Sequence, residues 1–129
     1  MANSKRKSAN SKQKQWLFDI TEYIQDNGFY DLYGERELGC LDFDRHHVLG
    51  KTAKQDKIPI GYWFIIPVPR FLHDVHSNHT DNVTHFKHRF TNRFGYQRQI
   101  FERLCFMMKE QGYEIPPKDV CDAIKRTRS

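Results

Sequence analysis

The sequence predicts an α+β domain in which two β-strands joined by a long loop lie between amphipathic helices. Apolar residues recur at helical spacing towards both ends of the chain, whereas two stretches in the middle are rich in β-forming residues. Glycine and proline residues separate these segments. The length of 129 residues fits a single domain, and the apolar fraction of 38% supports a packed core.

The first 15 residues differ in composition from the rest of the chain. They have almost nothing to bury and no acidic residue, and their basic residues are Lys5, Arg6, Lys7, Lys12 and Lys14. These side chains account for the whole net charge of +5, so residues 16–129 are formally neutral. We therefore expect a disordered basic arm at 1–15 and one folded domain at 16–129. Such an arm suits contact with nucleic-acid phosphates, although a merely solubilising role fits the composition equally well.

The segment that follows the arm predicts a helix. Its sequence is QWLFDITEYIQDNG, and its apolar side chains recur at helical spacing at Trp16, Leu17, Ile20, Tyr23 and Ile24. Asn27 and Gly28 form a good stop signal. Residues 29–39 predict turns around Gly34 and Gly39.

Two strands are predicted in the middle of the chain. CLDFDRHHVLG, residues 40–50, alternates apolar and acidic side chains with the period of two that is typical of a strand. IPIGYWFIIPVP, residues 58–69, is rich in β-formers, and Pro59 and Pro67 limit it to a short strand. KTAKQDK, residues 51–57, predicts a polar connector between them.

The second half of the chain predicts helices. RFLHDVH, residues 70–76, predicts one or two helical turns after Pro69, and residues 77–82 a loop. THFKHRFTNRF predicts a helix with Thr84 as its N-cap and Gly95 as its end. A longer helix is predicted in 97–112, and a short one in 118–126 on Val120, Ala123 and Ile124.

All seven histidines lie in one part of the chain: His46, His47, His73, His76, His79, His85 and His88. His46 and His47 are adjacent at the end of the first predicted strand. A spacing of three places His73 and His76 on one face of a helix, where both can reach one ion. Imidazole is the commonest protein ligand of divalent transition metals, so this distribution indicates a metal site. The alternatives are a solvated helix face and a purely structural doublet with one imidazole hydrogen-bonded to Asp44.

Cysteine usage and hydropathy exclude several classes of protein. Cys40, Cys105 and Cys121 form no CxxC pair, so neither a disulfide framework nor a cysteine zinc site is indicated, and we expect buried thiols. No apolar run approaches the ~20 residues that a membrane helix needs. The N-terminus has no apolar stretch typical of a secretory signal, so we expect no membrane partner and a cytoplasmic location.

Three segments resemble the HNH, or ββα-metal (His-Me finger), endonucleases. They are DRHHVLGK, IIPVPRFLHDVHS and VTHFKHRFTNRFGYQRQIF, and the resemblance covers about residues 38–104. Among these enzymes the chain is similar to phage recombination-enhancing nucleases that work with a bacterial recombinase. The resemblance implies a ββα-metal core at about 38–80, DNA as substrate, a divalent ion (Mg, Mn or Zn) and the cytoplasm of a bacterial host.

Residue roles also follow from this resemblance. It implies His46 as metal ligand, His47 as general base, and His73 and His76 as further ligands. Many relatives place three residues between the last two histidines and this chain has two, so His79 or His85 can replace one of them. Relatives usually carry an asparagine between the two histidine elements, and residues 58–66 contain none.

The chemistry of phosphodiester hydrolysis suits these residues. Successive strand residues point to opposite faces, so a strand end can direct His46 to a metal and His47 to the attacking water. Lys51, Lys54, Lys87 and Arg89 are expected to grip the DNA backbone with little sequence preference. The missing asparagine favours a second hypothesis, a non-catalytic DNA-binding or recombination accessory module. A third is a structural zinc domain with four histidine ligands.

Overall fold

The computed structural model describes residues 8–35, 42–73, 81–84 and 86–129, and this part of the chain is a small α+β fold. Its α-helices are α1 (Ser11–Asn27), α2 (Tyr30–Tyr33), α3 (Lys87–Phe94), α4 (Gln97–Glu110) and α5 (Lys118–Lys125). Its strands are β1 (Phe43–His47), β2 (Lys54–Gln55), β3 (Ile58–Pro59) and β4 (Ile65–Pro69). The α+β class predicted from the sequence is confirmed.

Helix α1 begins earlier than the sequence predicts. Asn10 and Gln13 form a capping box, in which each side chain accepts a hydrogen bond from the other residue's backbone N–H. Residues 11–15, predicted to belong to the disordered arm, are therefore helical. The predicted end is confirmed at Gly28, whose φ is 74°.

The two predicted strands pair with each other. β1 and β4 form a two-stranded antiparallel sheet in which His46 lies opposite Ile66 and His47 opposite Ile65. Every residue of β4 is buried, and α1 and α4 both pack against this strand. Pro67 fits within β4 because each strand of a two-stranded sheet has one free edge.

The connector between these strands contains a hairpin that the sequence analysis missed. β2 and β3 pair through the two-residue turn Asp56–Lys57, whose φ angles are 52° and 68°. Positive φ at both turn positions is typical of a type I′ hairpin turn. The connector is thus folded back on itself instead of crossing directly between β1 and β4.

Around the sheet, the helices bury the apolar stripes that the sequence predicts. The fully buried large side chains include Tyr23, Phe29, Phe64, Phe90 and Phe101. The prediction of turns alone in 29–39 was wrong, because the short helix α2 forms there and ends at Gly34. Residues 36–41 lie outside the described part.

Helix α3 begins later than predicted. Its N-cap is Phe86 and its first residue Lys87, so the prediction of Thr84 as N-cap was wrong. The backbone N–H of Thr84 instead donates to Asn82 Oδ1 at 2.9 Å, within a turn before the helix. The predicted end at Gly95 is confirmed.

Two of the three cysteines lie within the described residues. Cys105 is buried and Cys121 half-buried, and both are free thiols that line one cavity between α4 and α5. Cys40 lies outside the described residues. Within the described ranges, no helix combines the length and the apolar character needed to cross a membrane.

Candidate metal and catalytic site

The structure brings together histidines from two distant segments. His46 Nδ1 lies 3.0 Å from His73 Nε2, and the two ring centroids are 4.8 Å apart. His46 stands on β1, and His73 follows β4, the strand paired with β1. The antiparallel pairing therefore positions both imidazoles at the same side of the sheet.

The segment that leads to His73 begins with a helical turn, as the sequence predicts. Within the predicted range 70–76, the described residues form one 3₁₀ turn, Arg70–Leu72. His73 closes this turn, because its backbone N–H donates to the Arg70 carbonyl at 2.9 Å. The predicted ligand His76 and its alternatives His79 and His85 lie outside the described residues.

A carboxylate contacts the ring nitrogen of His73 that does not face His46. Asp44 Oδ2 lies 2.9 Å from His73 Nδ1, and Arg70 Nε lies 3.5 Å from Asp44 Oδ1. Because alternate strand residues share a face, Asp44 and His46 lie on the same side of β1. Since a carboxylate only accepts hydrogen bonds, His73 Nδ1 donates to Asp44, and this contact orients the ring so that Nε2 faces His46. Asp44 thus bonds His73 rather than a member of the doublet.

Gln97 is a site residue that the sequence analysis missed. It is the first residue of α4 and only 2% exposed, and its side-chain Oε1 has no hydrogen-bond partner among the described residues. The Gln97 amide lies near the His46 ring and acts to raise the pKa of that imidazole. A signal was present in the sequence, because Gln97 precedes Ile100, Phe101 and Leu104 on the apolar stripe of its helix.

Electrostatics keep both histidines of the doublet neutral near pH 7. Burial lowers the pKa of His46 to about 4, with the nearby His73, His47 and Lys87 side chains adding to the effect and Gln97 opposing it. Burial also lowers the pKa of His47, with Lys51 and Arg45 adding to the effect. A neutral imidazole has a lone pair that can bind a metal or take a proton from water.

His47 points to the other side of the sheet from His46, as expected for successive strand residues. Its ring lies edge-on to that of Tyr62, with centroids 6.2 Å apart. His47 is half-buried, and its backbone carbonyl accepts a hydrogen bond from the Gly50 N–H at 3.3 Å. The two members of the doublet therefore have separate surroundings.

The His46–His73 pair fits two ligands of one ion. Nitrogens that bind one ion at ~2.0–2.1 Å, at angles between octahedral and tetrahedral, are separated by roughly 2.8–3.4 Å. The observed separation of 3.0 Å lies within this range. Among the described residues, however, no group of three or more His, Cys, Asp or Glu side chains is arranged to hold a metal. The pair is thus at most part of a ligand set.

The predicted DNA-contacting residues are all exposed, and two of them lie near the histidines. Lys51 is close enough to His47, and Lys87 to His46, to affect the pKa of each imidazole. Lys54 lies in the β2–β3 hairpin, and Arg89 lies in α3.

Comparisons with models of known protein families, with curated proteins and with solved structures find no match for this chain.

Proposed function

We propose that this chain is a metal-dependent endonuclease that hydrolyses DNA phosphodiester bonds on a ββα-metal core. The observation that carries the proposal is the convergence of His46 and His73 from two paired segments, with nitrogens 3.0 Å apart. The contact of Asp44 with His73 Nδ1 also supports the proposal, because metal-binding histidines commonly donate their second N–H to a carboxylate.

In this proposal His46 and His73 hold a divalent ion, Mg, Mn or Zn, with His76 as a further ligand. When bound, the ion stabilises the negative charge that develops on the phosphate and on the departing oxygen. Asp44 keeps the His73 proton on Nδ1, so that Nε2 remains free for the ion.

His47 is proposed as the general base. It lies next to a ligand along β1 but faces the opposite side of the sheet, which separates proton removal from metal binding. Its lowered pKa leaves the ring neutral and able to accept a proton from the attacking water. Attack and departure occur on opposite sides of the phosphorus, so this division suits direct hydrolysis without a covalent intermediate.

Lys51 and Lys87 are proposed to bind phosphates on either side of the scissile bond, with Lys54 and Arg89 extending the contact. Lysine and arginine contacts of this kind give little sequence preference and a strong dependence on salt. A phage origin, a bacterial recombinase partner and a cytoplasmic location are also proposed, and they rest on the sequence resemblance alone.

A plasmid-nicking assay with Mg²⁺, Mn²⁺ or Zn²⁺, with and without chelator, tests the proposal. We expect His47→Ala to bind DNA normally but to nick it ~10²–10⁴-fold more slowly, the usual contribution of a general base. His88→Ala is the matched control, because His88 is exposed on α3. Unchanged nicking by His47→Ala would remove His47 from the mechanism.

A non-catalytic DNA-binding or recombination accessory module is the second candidate. It is favoured by the hydrogen bonds joining Asp44, His73 and His46, since this chain of contacts is also consistent with a structural role. This candidate predicts retarded migration of DNA in a gel, no cut product with any divalent ion, and loss of binding when the basic residues 1–7 are deleted.

A further inference from the structure

We infer that the segment 51–59, which contains the β2–β3 hairpin, binds the phosphate backbone of double-stranded DNA through its three lysines. This inference rests on the proposed function, in which DNA is the substrate, and adds the strand state of that DNA.

The hairpin segment differs in charge from the folded chain around it. Residues 16–129 are formally neutral, but KTAKQDK, residues 51–57, has three lysines and a single acidic residue. Lys51, Lys54 and Lys57 are all exposed, and none of them forms an ion pair with another described residue. Their ammonium groups are therefore available to an external anion.

Asp56, the acidic residue of this segment, is paired with a cation. Its Oδ2 accepts a hydrogen bond from Arg126 Nε at 2.5 Å, and Arg126 is the C-cap of α5. This ion pair offsets the negative charge of Asp56 and brings a fourth cationic side chain to the hairpin. The resulting surface has an excess of positive charge, which suits a polyanion.

The register of the hairpin separates an inner face from an outer face. Directly opposite residues of an antiparallel pair share a face, so Gln55 and Ile58 lie on one side and Lys54 and Pro59 on the other. Ile58 is half-buried against the hydrophobic core, whereas Lys54 and Pro59 are exposed. The face that carries Lys54 is therefore open to a partner.

Backbone hydrogen bonds fix the hairpin next to the proposed general base. The N–H groups of Ile60 and Gly61 donate to the Ala53 carbonyl at 3.0 and 3.1 Å. The Ala53 N–H donates to the Gly50 carbonyl, and the Gly50 N–H donates to the His47 carbonyl, both at 3.3 Å. The backbone that carries the lysines is thus tied at both ends before any partner binds.

The fixed backbone and the composition of the hairpin favour a duplex. Double-stranded DNA is stiff, so its phosphates form a regular array that a rigid set of cations can contact together. Proteins that bind single strands usually provide aromatic side chains on which the bases stack, and KTAKQDKIP, residues 51–59, contains none. We therefore assign phosphate contacts to this segment and no reading of bases.

Fluorescence anisotropy with a labelled DNA duplex, in EDTA and over a range of salt concentrations, tests the inference. We expect Lys54→Gln and Lys57→Gln each to weaken binding roughly 10-fold at ~0.1 M salt and to reduce the salt slope of log K by about 1, because each phosphate contact releases about 0.9 counterion. Lys109→Gln is the matched control, since it removes an exposed lysine from α4, and it should change neither quantity.

Asp56→Asn changes the charge of the hairpin in the opposite direction. This variant removes the acidic group and frees Arg126, and asparagine tolerates the positive φ of 52° at this position. We expect it to bind the duplex several-fold more tightly and to increase the salt slope by up to about 1. Single-stranded DNA of the same sequence should bind more weakly and respond less to all of these variants.

The experiment separates failure of this inference from failure of the proposed function. Equal effects of Lys54→Gln and Lys109→Gln, no gain in affinity for Asp56→Asn, or equal responses of single-stranded and double-stranded DNA would overturn the inference. Hairpin-dependent binding to phosphatidylserine vesicles without binding to DNA would reject both proposals. Because the assay contains chelator, retained hairpin-dependent binding together with an absence of nicking by any divalent ion would reject the nuclease alone.

Discussion

Replacing Gly61 by alanine is expected to disturb the loop that follows His47. A Cβ atom at this position would lie 2.2 Å from the Lys51 carbonyl oxygen and 2.4 Å from that of Gly50. Both neighbours are backbone atoms, so no side-chain rotation relieves the clash. The loop and the turn at residues 60–63 would have to separate.

The expected loss of folding stability follows from this geometry. Comfortable contact between heavy atoms begins near 3.4 Å, so the loop must move by roughly 1 Å. The N–H groups of Ile60 and Gly61 both donate to the Ala53 carbonyl, at 3.0 and 3.1 Å, and the movement stretches both bonds. Overpacking costs about 1–3 kcal/mol and each weakened hydrogen bond up to about 1 kcal/mol, so we expect a loss of roughly 2–4 kcal/mol.

Urea unfolding followed by tryptophan fluorescence measures this loss, because Trp16 and Trp63 are both buried. Gly112→Ala is the matched control. Gly112 has a φ of 91°, and no atom of the described residues lies within 4 Å of the place a Cβ would take, so only backbone strain of about 1–2 kcal/mol is expected there. A Gly61→Ala protein no less stable than Gly112→Ala would refute the steric argument.

Two further predictions concern the site and the hairpin. Asp44→Asn removes the charge from the hydrogen bond to His73, so we expect zinc affinity to fall about 10–100-fold in calorimetry; equal affinity would mean that Asp44 does not support the ligand. Lys57 has a left-handed backbone conformation in the β2–β3 turn. Lys57→Gly removes the strain of that conformation, so we expect the free energy of unfolding to rise by roughly 0.5–1 kcal/mol. A lower free energy of unfolding, measured in urea, would contradict that reasoning.

The sequence predicted the elements whose signals are local and repeated. The apolar stripes of α1, α4 and α5 recur over several turns, and all three predicted helices form, although α1 begins before its predicted start. β1 and β4 lie within the two β-rich stretches that were predicted as strands. The resemblance implied that His46 and His73 face one ion, and the structure brings their ring nitrogens to 3.0 Å.

Features that depend on tertiary contacts or on unusual turn residues were not predicted. The β2–β3 hairpin turns at Asp56–Lys57, and a lysine with positive φ lacks the glycine that usually marks such a turn. Thr84 has the chemistry of an N-cap, but its N–H is bonded within the preceding turn. Gln97 lies on the apolar stripe of α4, but its side chain is polar, so it was not predicted to be buried where α4 packs against the sheet.

His46 and His47 are successive residues of β1 and face opposite sides of the sheet, so a change in the length of β1 changes the side that each ring faces. Deleting one residue between Phe43 and His46 would keep both histidines but turn each one toward the side that the other now occupies. The exposed hairpin tip at Asp56 and Lys57 carries no such constraint, so insertions there should be tolerated. Homologous chains are therefore expected to vary in length at the hairpin and to keep a constant number of residues from the start of this strand to its paired rings.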